Sequence, residues 1–271
     1  MAAEYDAIAR EYRASKQLAF REHVEQHLLL QLLAHSAPRG AKVLDLACGE
    51  GIWARLVAQQ LGAHVVGVDL SAAMVQLARE SEAAEPLGCV FEVGDCAELA
   101  LDGEGTYDVV MAVWLLNYAK SEQQLEAFAR TAYRYLKPGG VLVGFNNNPT
   151  NPVARFATYA KYGFVKEAEP LREPEPQQAG DRIIYHITNP LTHSSFQVDN
   201  YFLAVDAHDR AFKAAGFPLG LAWLELDVSP EGRRAFPDAF WNGLLHGADA
   251  PFKAITARKP ELHAPALNGI A

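Results

Sequence analysis

Along the chain the spacing of apolar positions changes twice. Between residues 4 and 35, Ile8, Tyr12, Val24, Leu28, Leu29 and Leu32 fall at helical steps, which predicts a helical segment ending before "SAPRG". From there, strand-length apolar runs at 43–47, 64–68, 89–93, 109–113 and 141–145 alternate with helix-length segments at 52–61, 71–84 and 121–136. Continuous apolar runs suit strands covered on both faces, so this alternation predicts βαβ units around a parallel sheet. Pro138, Gly139 and Gly140 stop the third of those helices and turn the chain into the fifth strand.

Past Asn146 the pattern changes again. Residues 149–180 are rich in proline and lack a sustained period, "DRIIYHIT" and "SSFQVDNYFLAV" predict two strands, "AHDRAFKAAGF" a helix and "FKAITARK" a last strand. The expected organisation is one domain. It comprises an N-terminal helical lid (1–40), a cofactor-binding core (41–148), a substrate-cover insertion (149–205) and a C-terminal part of helix and strands (206–271).

Composition narrows the function classes. A chain of 271 residues can bury a large core without disulfide staples. Its 33 acidic residues against 24 basic ones, net −9, oppose a phosphate backbone, and no local basic patch reverses that field, so no nucleic-acid partner is expected. Cys48, Cys89 and Cys96 are odd in number and lack C-x-x-C spacing, which suits a reducing compartment. No apolar run reaches membrane-spanning length. A cytoplasmic protein without a membrane partner is the expectation; the oligomeric state is open.

The chemistry starts in "KVLDLACGEGIWARLV", where Gly49, Gly51 and Ala54 spell G-x-G-x-x-A and Asp69 closes the next apolar run. That layout fits a dinucleotide loop. Asp45, however, stands four residues before Gly49 and places a carboxylate at the mouth of the strand. A pyrophosphate would meet that charge unfavourably, whereas a sulfonium bearing an α-amino group would be attracted to it. The cofactor indicated is S-adenosyl-L-methionine, leaving S-adenosyl-L-homocysteine.

Further motifs agree in order. "VLDLACGEG", "VVGVDLSAAMV", "FEVGDCAEL", "YDVVMAVWLLNYA" and "LKPGGVLV" resemble the successive motifs of class I S-adenosylmethionine-dependent methyltransferases. The resemblance implies an α/β fold: a Rossmann-like, mostly parallel seven-stranded sheet with an N-terminal helical lid and an insertion after strand five. It implies cofactor contacts from Tyr12, Ser15, Asp45, Ala47, Gly49, Gly51, Asp69, Leu70, Met74, Asp95, Cys96 and Val113. The glycines can bend the loop and expose N–H groups. Asp69 can accept both ribose hydroxyls. Asp95 can accept the adenine amine, with Leu70 and Met74 about the ring. Asp69 and Asp95 also read as helix caps, Met74 as core, and Tyr5 and Tyr12 as packing on the sheet.

The acceptor is expected above the carboxyl ends of strands four and five. Trp114, Asn117, Tyr118, Asn147, Tyr159, Tyr162 and Trp241 are the candidate substrate contacts there, and flat rings with amides suit a planar heteroaromatic small molecule. "WLLNYA" also resembles toxoflavin-type N-methyltransferases. The candidate bases are His186, His246 and Tyr118; a ring nitrogen with a free lone pair requires none, a hydroxyl requires one. Both histidines also read as structural. The amide-rich edge indicates no metal. A noncatalytic S-adenosylmethionine or metabolite sensor and a nicotinamide-dependent oxidoreductase are the readings from other classes.

Overall fold

In the computed structural model, residues 18–172, 175–188 and 195–261 are described. A π-helical turn, Arg21–Gln26, runs directly into α1, His27–Ser36. The alternating core follows as β1 (Lys42–Leu46), α2 (Ile52–Leu61), β2 (His64–Asp69), α3 (Ala72–Ala84), β3 (Val90–Val93), β4 (Tyr107–Val113), α4 (Glu122–Tyr135) and β5 (Leu136–Asn147). Ser71 and Ser121 start α3 and α4 by accepting the amides of Met74 and Gln124, the N-cap arrangement.

After a 3₁₀ stretch, Val153–Tyr162, come β6 (Phe164–Glu169), β7 (Arg182–Thr188), β8 (Ser195–Tyr201), α5 (Val205–Ala215), β9 (Ala222–Leu224), α6 (Pro230–Ala235), α7 (Asp238–Trp241) and β10 (Phe252–Arg258). The main sheet has seven strands in the order β3-β2-β1-β4-β5-β10-β9. β1 to β5 pair parallel, while β10 pairs antiparallel with both β5 and β9. The predicted mostly parallel, seven-stranded Rossmann-like sheet is therefore present.

Side-chain alternation splits the core into two layers. Val43, Val109, Met111, Val113, Val141, Val143 and Phe145 face the layer with α1 and α2, whereas Leu44, Leu46, Val110, Ala112 and Leu142 face α4 and α5. At the end of β5 the same alternation turns Asn147 toward the first layer and Asn146 toward the second. Gly144 lets β5 approach β4: a Cβ there would meet the Ala112 carbonyl oxygen at 2.1 Å.

The insertion is more ordered than the sequence pattern predicts. β6, β7 and β8 form a separate antiparallel sheet in that order. Its inward face carries Phe164, Lys166, Ile183, Tyr185, Ile187, Val198 and Asn200 and rests against the end of β5. β6 is absent from the expectation, and Lys166 explains the omission, since a charged residue occupies an inward position of a six-residue strand. Among the described residues no helix is long and apolar enough to cross a membrane.

Candidate functional site

The order β1-β4 in the middle of the sheet is where the winding reverses, and in open α/β sheets a ligand crevice lies outside the carboxyl ends of the strands at that point. Both strands end under strain. Ala47 follows β1 with φ 59° and Trp114 follows β4 with φ 67°, a conformation L residues seldom adopt.

Eight of the expected cofactor contacts line one pocket at this point: Ala47, Gly49, Asp69, Leu70, Met74, Asp95, Cys96 and Val113. Asp69 organises it, accepting Gly49 N–H through Oδ2 at 2.8 Å and Ser71 N–H through Oδ1 at 2.9 Å. Leu70 is 38% exposed in the wall, an apolar surface left for a flat ring. A Cβ on Gly49 would meet no atom within 4 Å, so the loop leaves space where a ligand would lie. Asp95 accepts Ala97 N–H at 2.8 Å through Oδ1, within a turn that no helix follows, so it caps no helix and borders the pocket. The Cys96 thiol is pushed up by burial and stays neutral. Ser71, Leu115 and Phe128 also line the pocket and are not among the sequence candidates.

Two expected contacts are placed otherwise. Asp45 is 1% exposed and does not line the pocket; its negative field reaches the buried Cys48 and Cys96 thiols, beneath the loop. Gly51 is needed for packing, since with φ 78° a Cβ would strike the Phe91 ring at 2.6 Å, and its N–H donates to Cys48 O. Tyr5, Tyr12 and Ser15 lie outside the described residues.

Trp114 and Tyr118 are shared with a second pocket. Phe20, Phe164, Tyr185 and Phe252 supply its other rings, and Trp114 meets Phe252 and Tyr185 edge-on at centroid distances of 5.1 and 6.4 Å. The indole N–H of Trp114 donates to Oε1 of the buried Glu25 at 3.1 Å, and Arg21 Nη1 donates to Glu25 Oε2 at 3.3 Å. The π-helical turn thus holds the strained Trp114 in place. Among the described residues at this pocket, Asn117 Oδ1, an acceptor, and Asn200 Nδ2, a donor, are buried without a hydrogen-bond partner. The Tyr185 phenol, pushed well up by burial, stays protonated and donates to Asn147 Oδ1 at 2.6 Å.

Of the expected acceptor contacts, Trp114, Asn117 and Tyr118 meet here. Asn147 stands just behind the wall, tied to Tyr185 and Asn200. Tyr159, Tyr162 and Trp241 do not line this pocket. Tyr159 stacks behind Phe164 and donates to Asp249 O at 2.7 Å, Tyr162 donates to Phe240 O at 2.6 Å, and Trp241 packs on Phe236, Phe240 and His23. The two histidines are also elsewhere. His186 is on the outward face of β7, where its Nε2 lies 2.9 Å from Glu167 Oε2, and His246 is exposed beside Glu225. Among the described residues no group of three or more His, Cys, Asp or Glu could hold a metal ion.

Comparison with known proteins decides the family. The methyltransferase-domain family matches residues 43–140. The chain is 30% identical over 219 residues to a demethylmenaquinone methyltransferase of Symbiobacterium thermophilum, covering 79% of this chain and 82% of that one. The chain belongs to the class I S-adenosylmethionine-dependent methyltransferases. This methyltransferase is also 30% identical to the N-demethylindolmycin N-methyltransferase of Streptomyces griseus, over 69% of this chain and 74% of the relative. The CcbJ methyltransferase from Streptomyces caelestis shares the fold, with a TM-score of 0.57 at 24% identity over 87% of this chain and 89% of that one. The demethylmenaquinone and N-demethylindolmycin enzymes are named as small-molecule methyltransferases, in line with the small-molecule type expected from the sequence.

Proposed function

We infer that this methyltransferase moves the methyl group of S-adenosylmethionine to a nitrogen of a planar heteroaromatic small molecule. The observation that carries the reading is the shared wall: Trp114 and Tyr118 border both the pocket organised by Asp69 and the ring-lined pocket beside it. S-adenosylmethionine supplies an electrophilic methyl carbon on a sulfonium. Asp69 would hold the ribose, Leu70 and Met74 would flank the adenine, and Asp95 would take its amine. Trp114 and Tyr118 then fix the direction from which an acceptor approaches, and holding reacting atoms in line in a dry site supplies much of such an acceleration.

Nitrogen is favoured over oxygen by the protonation states around the ring-lined pocket. His186 and His246 are remote, Glu25 is engaged by Trp114 and Arg21, and Tyr185 remains a phenol. A nitrogen lone pair attacks without prior deprotonation and sheds its proton afterwards. A hydroxyl acceptor would depend on Tyr118. The names of the relatives fit a ring-bearing acceptor, one of them an N-methyltransferase.

The test is methyl transfer from labelled cofactor to N-demethylindolmycin, demethylmenaquinone and a panel of heteroaromatics presented as nitrogen and hydroxyl pairs. Transfer is expected on the nitrogen member, undiminished by a chelator and by Tyr118→Phe. Turnover confined to hydroxyl members would overturn the nitrogen reading, and loss in chelator restored by magnesium would overturn the metal-free one.

A further inference from the structure

A cavity of about 620 Å³ opens beyond the end of β5, and the methyl transfer described above uses none of its polar wall. It lies beside the ring-lined pocket on the same inward face of the β6-β7-β8 sheet, where Ile183 continues the row of Tyr185 and Ile187. The partition is a bar of three side chains: Tyr185 donates to Asn147 Oδ1 at 2.6 Å, and Asn147 Nδ2 donates to Asn200 Oδ1 at 3.1 Å.

The hydrogen-bond network determines what the outer cavity lacks. His208 Nδ1 faces Ala204 O at 2.9 Å, so the proton sits on Nδ1, and burial keeps the imidazole neutral. Nε2 is then an acceptor and takes the Nδ2–H of Asn146 at 3.1 Å. This orientation leaves Asn146 Oδ1 as the buried acceptor without a partner, on a residue only 2% exposed. Across the cavity both amide atoms of Gln177, Oε1 and Nε2, are buried without partners. The basic side chains of the wall are already engaged: Lys166 Nζ donates to Asn151 Oδ1 at 2.8 Å and Pro251 O at 3.3 Å, and Arg172 Nε donates to Asp181 Oδ2 at 2.7 Å. Glu175 adds a carboxylate to the lining.

An anion would therefore find oxygen atoms and a carboxylate, and an ammonium would share the cavity with the Arg172 guanidinium. A neutral group with an N–H beside a C=O satisfies what remains, since its N–H can go to an amide oxygen and its carbonyl can take the Gln177 N–H. We propose that the outer cavity is a second binding subsite for an uncharged carboxamide-like group, a carboxamide, lactam or urea, carried by the distal half of a two-part acceptor whose ring lies against Trp114. Placing the ring half rests on the acceptor reading above; binding of the amide half does not. Asn147, which lines the outer cavity and is bonded to Tyr185 and Asn200 of the ring-lined one, is then a positioning residue that sets the distance between the halves.

The experiment uses the full chain saturated with S-adenosylhomocysteine and four probes on one ring: benzamide, benzoate, benzylamine and toluene. Benzamide is expected to shift the side-chain NH₂ resonances of Asn146 and Gln177 and to bind at least about tenfold more tightly than the other three, as a site built to hydrogen-bond rejects analogues lacking the partner. Gln177→Leu, checked for native near-ultraviolet dichroism, should bring benzamide to the level of toluene. Asn146→Leu serves as a second variant with the same expectation. Benzoate or toluene binding as tightly as benzamide, benzamide shifting only Asn117, or no binding at all would overturn the subsite. If benzamide binds as expected while no heteroaromatic accepts a methyl group, the subsite stands and the proposed function falls; the converse pair of results removes the subsite alone.

Discussion

Asp69 shows how one carboxylate serves the fold and the ligand together. Its two oxygens already tie the Gly49 and Ser71 amides, so the loop after β1 and the start of α3 are held in register before any ribose arrives. Asp69→Ala removes that tie and the ribose acceptor in one step, and charged hydrogen bonds of this kind are worth roughly 1.5–3 kcal/mol each. Calorimetry is expected to show affinity falling about 10- to 100-fold for S-adenosylmethionine and S-adenosylhomocysteine alike, because the ribose is common to both. Asp45 behaves differently from the sequence argument, since its carboxylate is buried beneath the loop and does not line the pocket. Asp45→Asn should therefore leave the ratio of the two affinities unchanged; a loss confined to the sulfonium form would restore the direct charge contact. The motif residues were legible because their spacing follows the turn itself. Glu25 was not, although its signal was present: Arg21 and Glu25 share a helical face with Val24 and Leu28, the position of a buried pair.

At the scale of elements, the core strands were readable because burial on both faces writes unbroken apolar runs, whereas the insertion writes mixed ones. In β7 the run "RIIYHIT" is nearly continuous, so its parity is invisible in sequence. Pairing of Tyr185 with Lys166 and Val198 on the inward face is what turns His186 outward, and no residue of β7 alone announces it. The helical period of 4–35 likewise gives no hint of the π-helical turn at Arg21–Gln26. Such turns gather at functional sites because the extra residue redirects side chains, and here Glu25 reaches Trp114 across the chain. Glu25→Ala would remove the carboxylate shared by Trp114 and a buried guanidinium, a class of change that costs about 3–5 kcal/mol. Chemical denaturation followed by Trp fluorescence should show that loss, with Glu25→Gln, which keeps an acceptor for the indole, losing less. A loss below about 1 kcal/mol in the alanine variant would mean that the turn does not hold the strained strand end.

For the molecule as a whole, pH reports how the insertion is fastened to the Rossmann-like body. Lys166 on β6 is buried, donates to Asn151 and to Pro251 just before β10, and its Nζ lies 4.3 Å from the centre of the Phe156 ring. Burial lowers its pKa from 10.5 to about 7. Between those values the unfolded chain carries the proton and the folded chain does not, so unfolding takes up a proton and stability from this group rises with pH across that window. Below about 7 both states are protonated, and the full cost of enclosing the ammonium is present. Buried acids act in the opposite sense: Tyr185 and Cys48 have raised values, so they keep protons in the folded state that the unfolded chain gives up, and stability falls at alkaline pH. The measured curve is a sum of these slopes, and a difference isolates the lysine. Subtracting the unfolding free energy of Lys166→Met from that of the parent should give a difference that climbs in favour of the parent from near pH 7 toward pH 10 and is level below. A difference that stays level throughout would show that the amine holds its proton in the folded state, with the Asn151 and Pro251 oxygens and the Phe156 ring outweighing the loss of water.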